Sequence, residues 1–260
     1  MALLSPKLID TMVAGREILQ VAYKLLTEDV EVANLWYMSN AMVVNRLKYN
    51  DHGPIHAKIV AGAALYLYHL LRSSGVESTL IRDGVVETEE YTWLVPLIGG
   101  LLHDIGNSVH REMHERIGAI LAKPIVDRVL EKIIPEASVR IRLRQEILHA
   151  IFCTDYELEC LTVEAGCVKV GDGLDMAEGR ARVPYRLGGV SIHSISALSI
   201  KKVEIMPSDK RPIRVNVHMS EKAGIFQVDE IFLPKLKKTP LKDYVEVYVL
   251  VGDNVLKTYP

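Results

Sequence analysis

The side chains of this sequence best suited to chemistry are histidines and aspartates laid out in a definite order. His103-Asp104 directly follow the apolar run from Trp93 to Leu102 and are followed by Ile105-Gly106. An imidazole and a carboxylate at the end of a buried helix are costly unless they are paired or bound to a cation. His52 and His56 stand upstream, four residues apart, and His110 and His114 repeat that spacing downstream. His149 comes next, then Asp172 and Asp175 in Val170-Gly171-Asp172-Gly173-Leu174-Asp175. Of nine histidines only His69, His193 and His218 fall outside this series, so the series holds most of the chain's imidazole. Neutral imidazoles mixed with carboxylates suit Mn, Fe, Co, Ni or Zn, with Mg also admissible, and a bridging carboxylate admits two ions per chain.

Helices must position these groups. The run ending at Leu102 is apolar nearly all round and predicts a buried helix, with Pro96 in its first turn and Gly106 placed to end it. Pro54 predicts another helix start. His56, Val60, Ala63, Ala64, Leu67 and Leu71 then share one face, which turns His56 into the core, while His52 falls at or before the start. A helix from Val109 to Leu121 sets His110 and His114 on one face, near enough for a common metal or a substrate phosphate. Ser138 opens a helix reaching Phe152 that carries His149 beside a charged face of Arg140, Arg142, Arg144 and Glu146. Thr162 caps a helix on which Asp172, four residues after Val168, faces inward with Asp175 beside it. Gly179-Arg180-Ala181-Arg182 leaves that helix. Arginine grips phosphate bidentately, so Arg180 and Arg182 are candidate substrate contacts along with Asp175, or Arg180 simply pairs with Asp175 or Glu178.

The order His, His-Asp, Asp on successive helices resembles the HD-domain metal-dependent phosphohydrolases, over about Asn50 to Arg182. The resemblance implies an HD-type helical bundle in which His56, His103, Asp104 and Asp172 hold a first metal, with Asp104 and His103 at the catalytic centre. Asp104 would bridge to a second metal completed by His114 and His149, with His110 and His52 as further candidates. His114-Glu115-Arg116-Ile117-Gly118-Ala119-Ile120-Leu121 is similar to the portion of some HD proteins that supplies a second-metal histidine. The implied activity is hydrolysis of a phosphomonoester or phosphodiester, of a nucleotide first of all, by a metal-activated water. The signature of the HD-GYP subgroup and an adjacent His-His pair are both missing, so cyclic-dinucleotide hydrolysis is not carried over. A di-iron oxygenase of the HD type and a non-catalytic metal-dependent sensor are the alternatives.

The rest of the chain frames that reading. Its 260 residues suffice for one large domain or a domain with a smaller module, and 49% hydrophobic with 25% charged residues is a folded composition. A formal charge of -2 gives no global argument for nucleic acid or a membrane surface; the partner that the resemblance implies is a small phosphorylated substrate, with self-association open. Cys153, Cys160 and Cys167 lack CxxC spacing and indicate neither a disulfide frame nor a zinc-thiolate site. No cationic leader and no apolar stretch of membrane-spanning length is read, so the expected location is the cytoplasm. Helical spacing continues from Ser5-Pro6 to Leu26 and from Asp29 to Leu47. Asp83-Gly84 predicts a short hairpin or excursion between helices over 81–87, and Pro124 a break or kink. After Gly188-Gly189 the pattern changes to strands at 203–206, 213–219 and 245–251, with a helix over 223–238 broken at Pro234. His193 precedes them and reads as structural. The fold expected is mainly α: an HD-type bundle over 1–188 and a small α+β module over 189–260.

Overall fold

A computed structural model describes residues 1–179, 192–252 and 254–260. Arg180, Arg182 and the expected boundary at 188/189 lie outside the described residues, as does the side chain of His193. The protein is mainly α-helical, with a five-stranded sheet built largely from its C-terminal part. Among the described residues no helix is long and apolar enough to cross a membrane.

Three helices, α1 (Leu8–Val13), α2 (Glu17–Thr27) and α3 (Val30–Asn40), lead into the bundle. Asp29 caps α3 by accepting from the amides of Glu31 and Val32, and a π-helical segment, Ala41–Arg46, prolongs it. The centre is α4 (Pro54–Ser73), α7 (Leu94–Leu102) and α10 (Val163–Leu174), after the single turns α5 (Thr79–Arg82) and α6 (Glu89–Thr92). Every residue of α7 and of α10 is buried. All-round apolarity places α7 inside, whereas α10 is buried with its polar side chains paired, and α8 (His114–Glu131) and α9 (Ala137–Phe152) pack alongside. Gly100 lets α7 approach α4 closely, since a Cβ there would lie 2.6 Å from the Ala61 Cα. That approach brings the end of α7 to the start of α4, where the histidines are.

Several local expectations need correction. The segment 81–87 is the excursion between helices and not the hairpin: α5 ends in a left-handed Gly84 (φ 68°), and the Val85 amide returns to the Leu80 carbonyl. The helix expected from Val109 starts only at His114, after a 3-10 turn, Ile105–Ser108, and a left-handed Met113 (φ 58°). Pro124 does not break α8. It sits on the exposed face, one turn after the 75%-exposed Ile120, whose unpaired carbonyl water can satisfy. The helix expected over 223–238 is a 3-10 turn (Lys222–Gly224), a π-helical segment (Gln227–Phe232) and α12 (Leu233–Lys237), with Pro234 in the first turn of α12 instead of breaking a helix.

After α11 (Ile192–Leu198) the sheet takes strands β1 (Ala2–Leu3), β2 (Ile200–Met206), β3 (Ile213–Met219), β4 (Val245–Val251) and β5 (Asn254–Tyr259), in that spatial order. β3 and β4 are parallel, joined through the 222–243 helical crossover, and the other pairs are antiparallel. β1 and β5 are new relative to the sequence reading. One is two residues long and the other a largely exposed edge, so neither shows apolar alternation. Hydrogen bonds tie the sheet region to the helices. The Cys160 amide donates to the Lys238 carbonyl, and the Tyr156 hydroxyl donates to the Glu230 carbonyl.

Candidate metal centre

The end of α7 is where buried polar groups concentrate. A helix leaves its last carbonyls without intrahelical partners, and here side chains meet them. Trp36 Nε1 donates to the Leu101 carbonyl at 2.9 Å, His103 Nδ1 to the Gly100 carbonyl at 2.9 Å, and Ser39 Oγ to the Asp104 carbonyl at 3.2 Å. Asn107 Nδ2 reaches both the Asp104 carbonyl (3.1 Å) and Asp104 Oδ1 (2.9 Å), fixing that carboxylate. A Cβ on Gly106 would lie 1.9 Å from the His114 carbonyl oxygen, so glycine there lets the 3-10 turn press onto the first turn of α8. Gly106 therefore does more than end a helix. It sets His114 against Asp104, with His114 Nε2 3.3 Å from Asp104 Oδ1.

His56 enters from α4 and Asp172 from α10. His56 Nε2 lies 3.2 Å from His103 Nε2, 3.3 Å from Asp104 Oδ2 and 3.3 Å from Asp172 Oδ1. His103 Nε2 lies 3.4 Å from Asp104 Oδ2 and 3.8 Å from Asp172 Oδ1. The protonation of both rings follows from their other nitrogens. A carbonyl only accepts, so His103 Nδ1 carries the proton that it gives to Gly100. His56 Nδ1 faces Asp175 Oδ2 at 2.6 Å and donates to it. In the neutral rings both Nε2 atoms then present lone pairs to one another and to two carboxylates. Such a cluster is repulsive without a cation at its centre. A cation about 2.1 Å from tetrahedral ligands needs them about 3.4 Å apart, which the separations of His56 Nε2 from His103 Nε2, Asp104 Oδ2 and Asp172 Oδ1 match. His56, His103 and Asp172 form one group able to hold a metal ion, and His52, His56 and Asp104 another. His52 Nδ1 lies 2.5 Å from Asp104 Oδ2.

The electrostatics agree with an ionised pair of acids. Burial pushes the Asp104 carboxyl up, but His52 and His103, with a bond from His114, outweigh it and hold it well below the usual carboxylate range. Asp172 behaves likewise: burial opposes ionisation, while Lys235, which pairs with its Oδ2, and His56 and His103 hold it low. His114 loses to burial but gains more from Asp104 and Glu115, and its pKa rises to about 9.

The structure thus brings His52, His56, His103, Asp104, His114, Asp172 and Asp175 together. It leaves two expected ligands apart. His110 precedes α8, is exposed, and accepts from the Glu112 amide on Nδ1, so it shares no helix face with His114. His149 Nε2 accepts from the Leu161 amide at 3.1 Å, and burial lowers its pKa. Neither lines the cavity of about 600 Å³ that opens onto Asp104, His114 and Asp172. That cavity is also lined by residues the sequence reading passed over: Lys48, Tyr49, Arg111, Tyr156, Gln227 and Lys235. A non-glycine residue in the left-handed region, Lys48 (φ 61°), was not readable from residue type. Lys235 lies 63 residues from Asp172, and nothing in the sequence joins them. Arg111 alone had a local signal, three residues before His114.

Fold and centre together define a mainly helical protein whose buried histidine and aspartate groups could hold a metal ion. No family model matches the chain, and no solved structure matches it. It is 42% identical over 232 residues, 89% of each chain, to a protein of Methanocaldococcus jannaschii described as uncharacterized protein MJ1020. The chain belongs to the family of that archaeal protein.

Proposed function

We propose that the protein is a metal-dependent phosphohydrolase of the HD type, acting on a small phosphate ester, a nucleotide first of all. The observation that carries this reading is the convergence of the Nε2 atoms of His56 and His103 on one another and on the carboxylates of Asp104 and Asp172 in a buried place. A divalent ion bound there supplies a hydroxide near neutral pH and polarises a phosphoryl oxygen.

The chain's own residues do the rest. Asp175 and the Gly100 carbonyl fix the tautomers and orientations of His56 and His103, as outer partners of metal-ligating histidines do. Asn107 orients Asp104, and Lys235 balances the outer oxygen of Asp172. His114, with Nδ1 donating to the Arg111 carbonyl at 2.9 Å, presents Nε2 to the cavity, where a proton held on it suits a departing alkoxide. A volume of about 600 Å³ is in the range of small-molecule sites. Tyr49, Tyr156, Met176 and Ile231 on its wall offer apolar surface for a flat base.

The test is metal analysis of the purified protein followed by a broad panel of phosphate esters with Mn, Co, Ni, Zn and Mg. Metal-dependent release of phosphate from a nucleotide is expected. Bound iron with oxygen consumption, or metal binding without turnover on any ester, overturns the reading.

A further inference from the structure

The side of Asp104 that faces away from His56 and His103 is arranged differently from the first. Asp104 Oδ1 and His114 Nε2 lie 3.3 Å apart, as two ligands of a second ion would. Yet the Arg111 guanidinium is there: its Nη1 lies 3.1 Å from His114 Nε2 and donates to Asn107 Oδ1 at 3.3 Å. Arg111 is half-buried and lines the cavity. It is held in a short loop between the 3-10 turn, pinned by Gly106, and the left-handed Met113 that opens α8. His52 also lines the cavity, but its Nδ1 lies 2.5 Å from Asp104 Oδ2, the oxygen that faces His56, and not on the Oδ1 side, while the expected ligands His110 and His149 are engaged with the amides of Glu112 and Leu161.

We infer that this centre holds one metal ion, and that the Arg111 guanidinium stands in place of a second cation as the receptor for the substrate's phosphate oxygens. The inference rests on the phosphohydrolase reading and deepens it, assigning the substrate class as a terminal phosphate monoester presented to one metal and one arginine. Formal charge favours the same order of events. The cavity's acids are Asp104, Asp172, Asp175 and Glu115, and its fixed cations are Lys48, Arg111 and Lys235. A divalent ion adds two positive charges to this inventory, so anion binding is stronger once the metal is bound. Arg111 then offers the planar fork that matches two phosphate oxygens.

The experiment measures two quantities besides turnover: metal per chain by elemental analysis, and the affinity for inorganic phosphate by calorimetry, with and without Mn. The wild-type chain is expected to bind one ion and to take up phosphate more tightly when that ion is present. Arg111→Ala should keep the ion and lose phosphate affinity by about tenfold to a hundredfold, the usual worth of a charge-assisted contact. Arg111→Lys should recover part of that loss, since it keeps the charge without the fork. Two ions per wild-type chain, or phosphate affinity unchanged in Arg111→Ala, overturns the inference even if ester hydrolysis is found. A chain that binds no metal overturns the phosphohydrolase reading as well.

Discussion

Two buried acids lie on α10, one near each end, and both face α4. At one end Asp172 meets His56. At the other Glu164, fully buried, accepts from the Ser78 hydroxyl at 2.6 Å, and the single proton of the Tyr68 hydroxyl is shared between Glu164 at 3.2 Å and Thr92 Oγ1 at 2.8 Å. The seam, burial and residue class are alike, but the outcomes are opposite. Hydroxyls are weak, neutral donors, and burial outweighs them, so the Glu164 carboxyl is pushed up. Imidazoles and the Lys235 ammonium hold Asp172 down. A buried carboxylate therefore does not by itself indicate a metal. Its partners decide, and only lone-pair nitrogens gathered round ionised oxygens require a cation.

The largest effect that bears on this contrast is at the His-Asp pair. Asp104→Ala should remove metal binding and hydrolysis together while leaving a folded chain, because the carboxylate lines a cavity into which the shortened side chain leaves room for water. Elemental analysis and circular dichroism of the variant check it. A metal content equal to wild type would show that the lone-pair argument misidentifies the centre.

Next comes the glycine that sets His114. Gly106→Ala drives a methyl into the backbone of α8 and should cost about 1–3 kcal/mol of stability, the range for overpacking. Thermal melts measure the loss. Because the same contact holds His114 beside Asp104, activity per folded molecule should fall too. A variant that melts lower with unaltered kinetics would reduce Gly106 to packing alone.

The smallest effect belongs to the other end of the seam. Glu164→Gln should leave metal content and activity as they are, and change only how stability depends on pH. A raised carboxyl binds its proton more tightly folded than unfolded. Its favourable contribution is complete below the ordinary value of 4.5 and declines as pH rises through the folded value, staying low above it. Glutamine does not titrate, so the stability of the variant relative to wild type should climb over that range and then level off. A flat difference across pH, measured by denaturant titration, would mean that Glu164 is ionised in the fold at no cost.

The seam also shows what the sequence could and could not express. His56, His103, Asp104 and Asp172 were readable because each sits at a helix start, a helix end or an inward helical position, where periodicity fixes direction. The same rule that turned Asp172 inward applies to Glu164, yet the partners that neutralise Glu164 come from Tyr68 and Ser78, far along the chain. Distance also hid Lys235, which a crossover of the sheet region delivers to Asp172. His110 was misplaced for a local reason. The chain from Asp104 to Met113 spends its length on a 3-10 turn and a left-handed residue, neither of which apolar spacing reveals. The sheet's inner strands declared themselves by alternation, and its edges did not.

The complete burial of α10 carries a consequence for how ligands exchange with the centre. Apart from Asp172 and Gly173 on the cavity wall, the residues of Val163–Leu174 are shut off from solvent by the bundle, so its amide hydrogens should be among the slowest to exchange. Asp172 rides on that element. Asp104 and His114 instead flank the strap from Ser108 to Met113, where Val109, His110, Glu112 and Met113 are exposed and the backbone is strained at Met113. Local opening of the strap costs far less than unfolding. On the proposed reading, an ion can therefore come and go on one hinged side of its nest while the other side stays anchored, so its residence time is set by the strap and not by the stability of the fold.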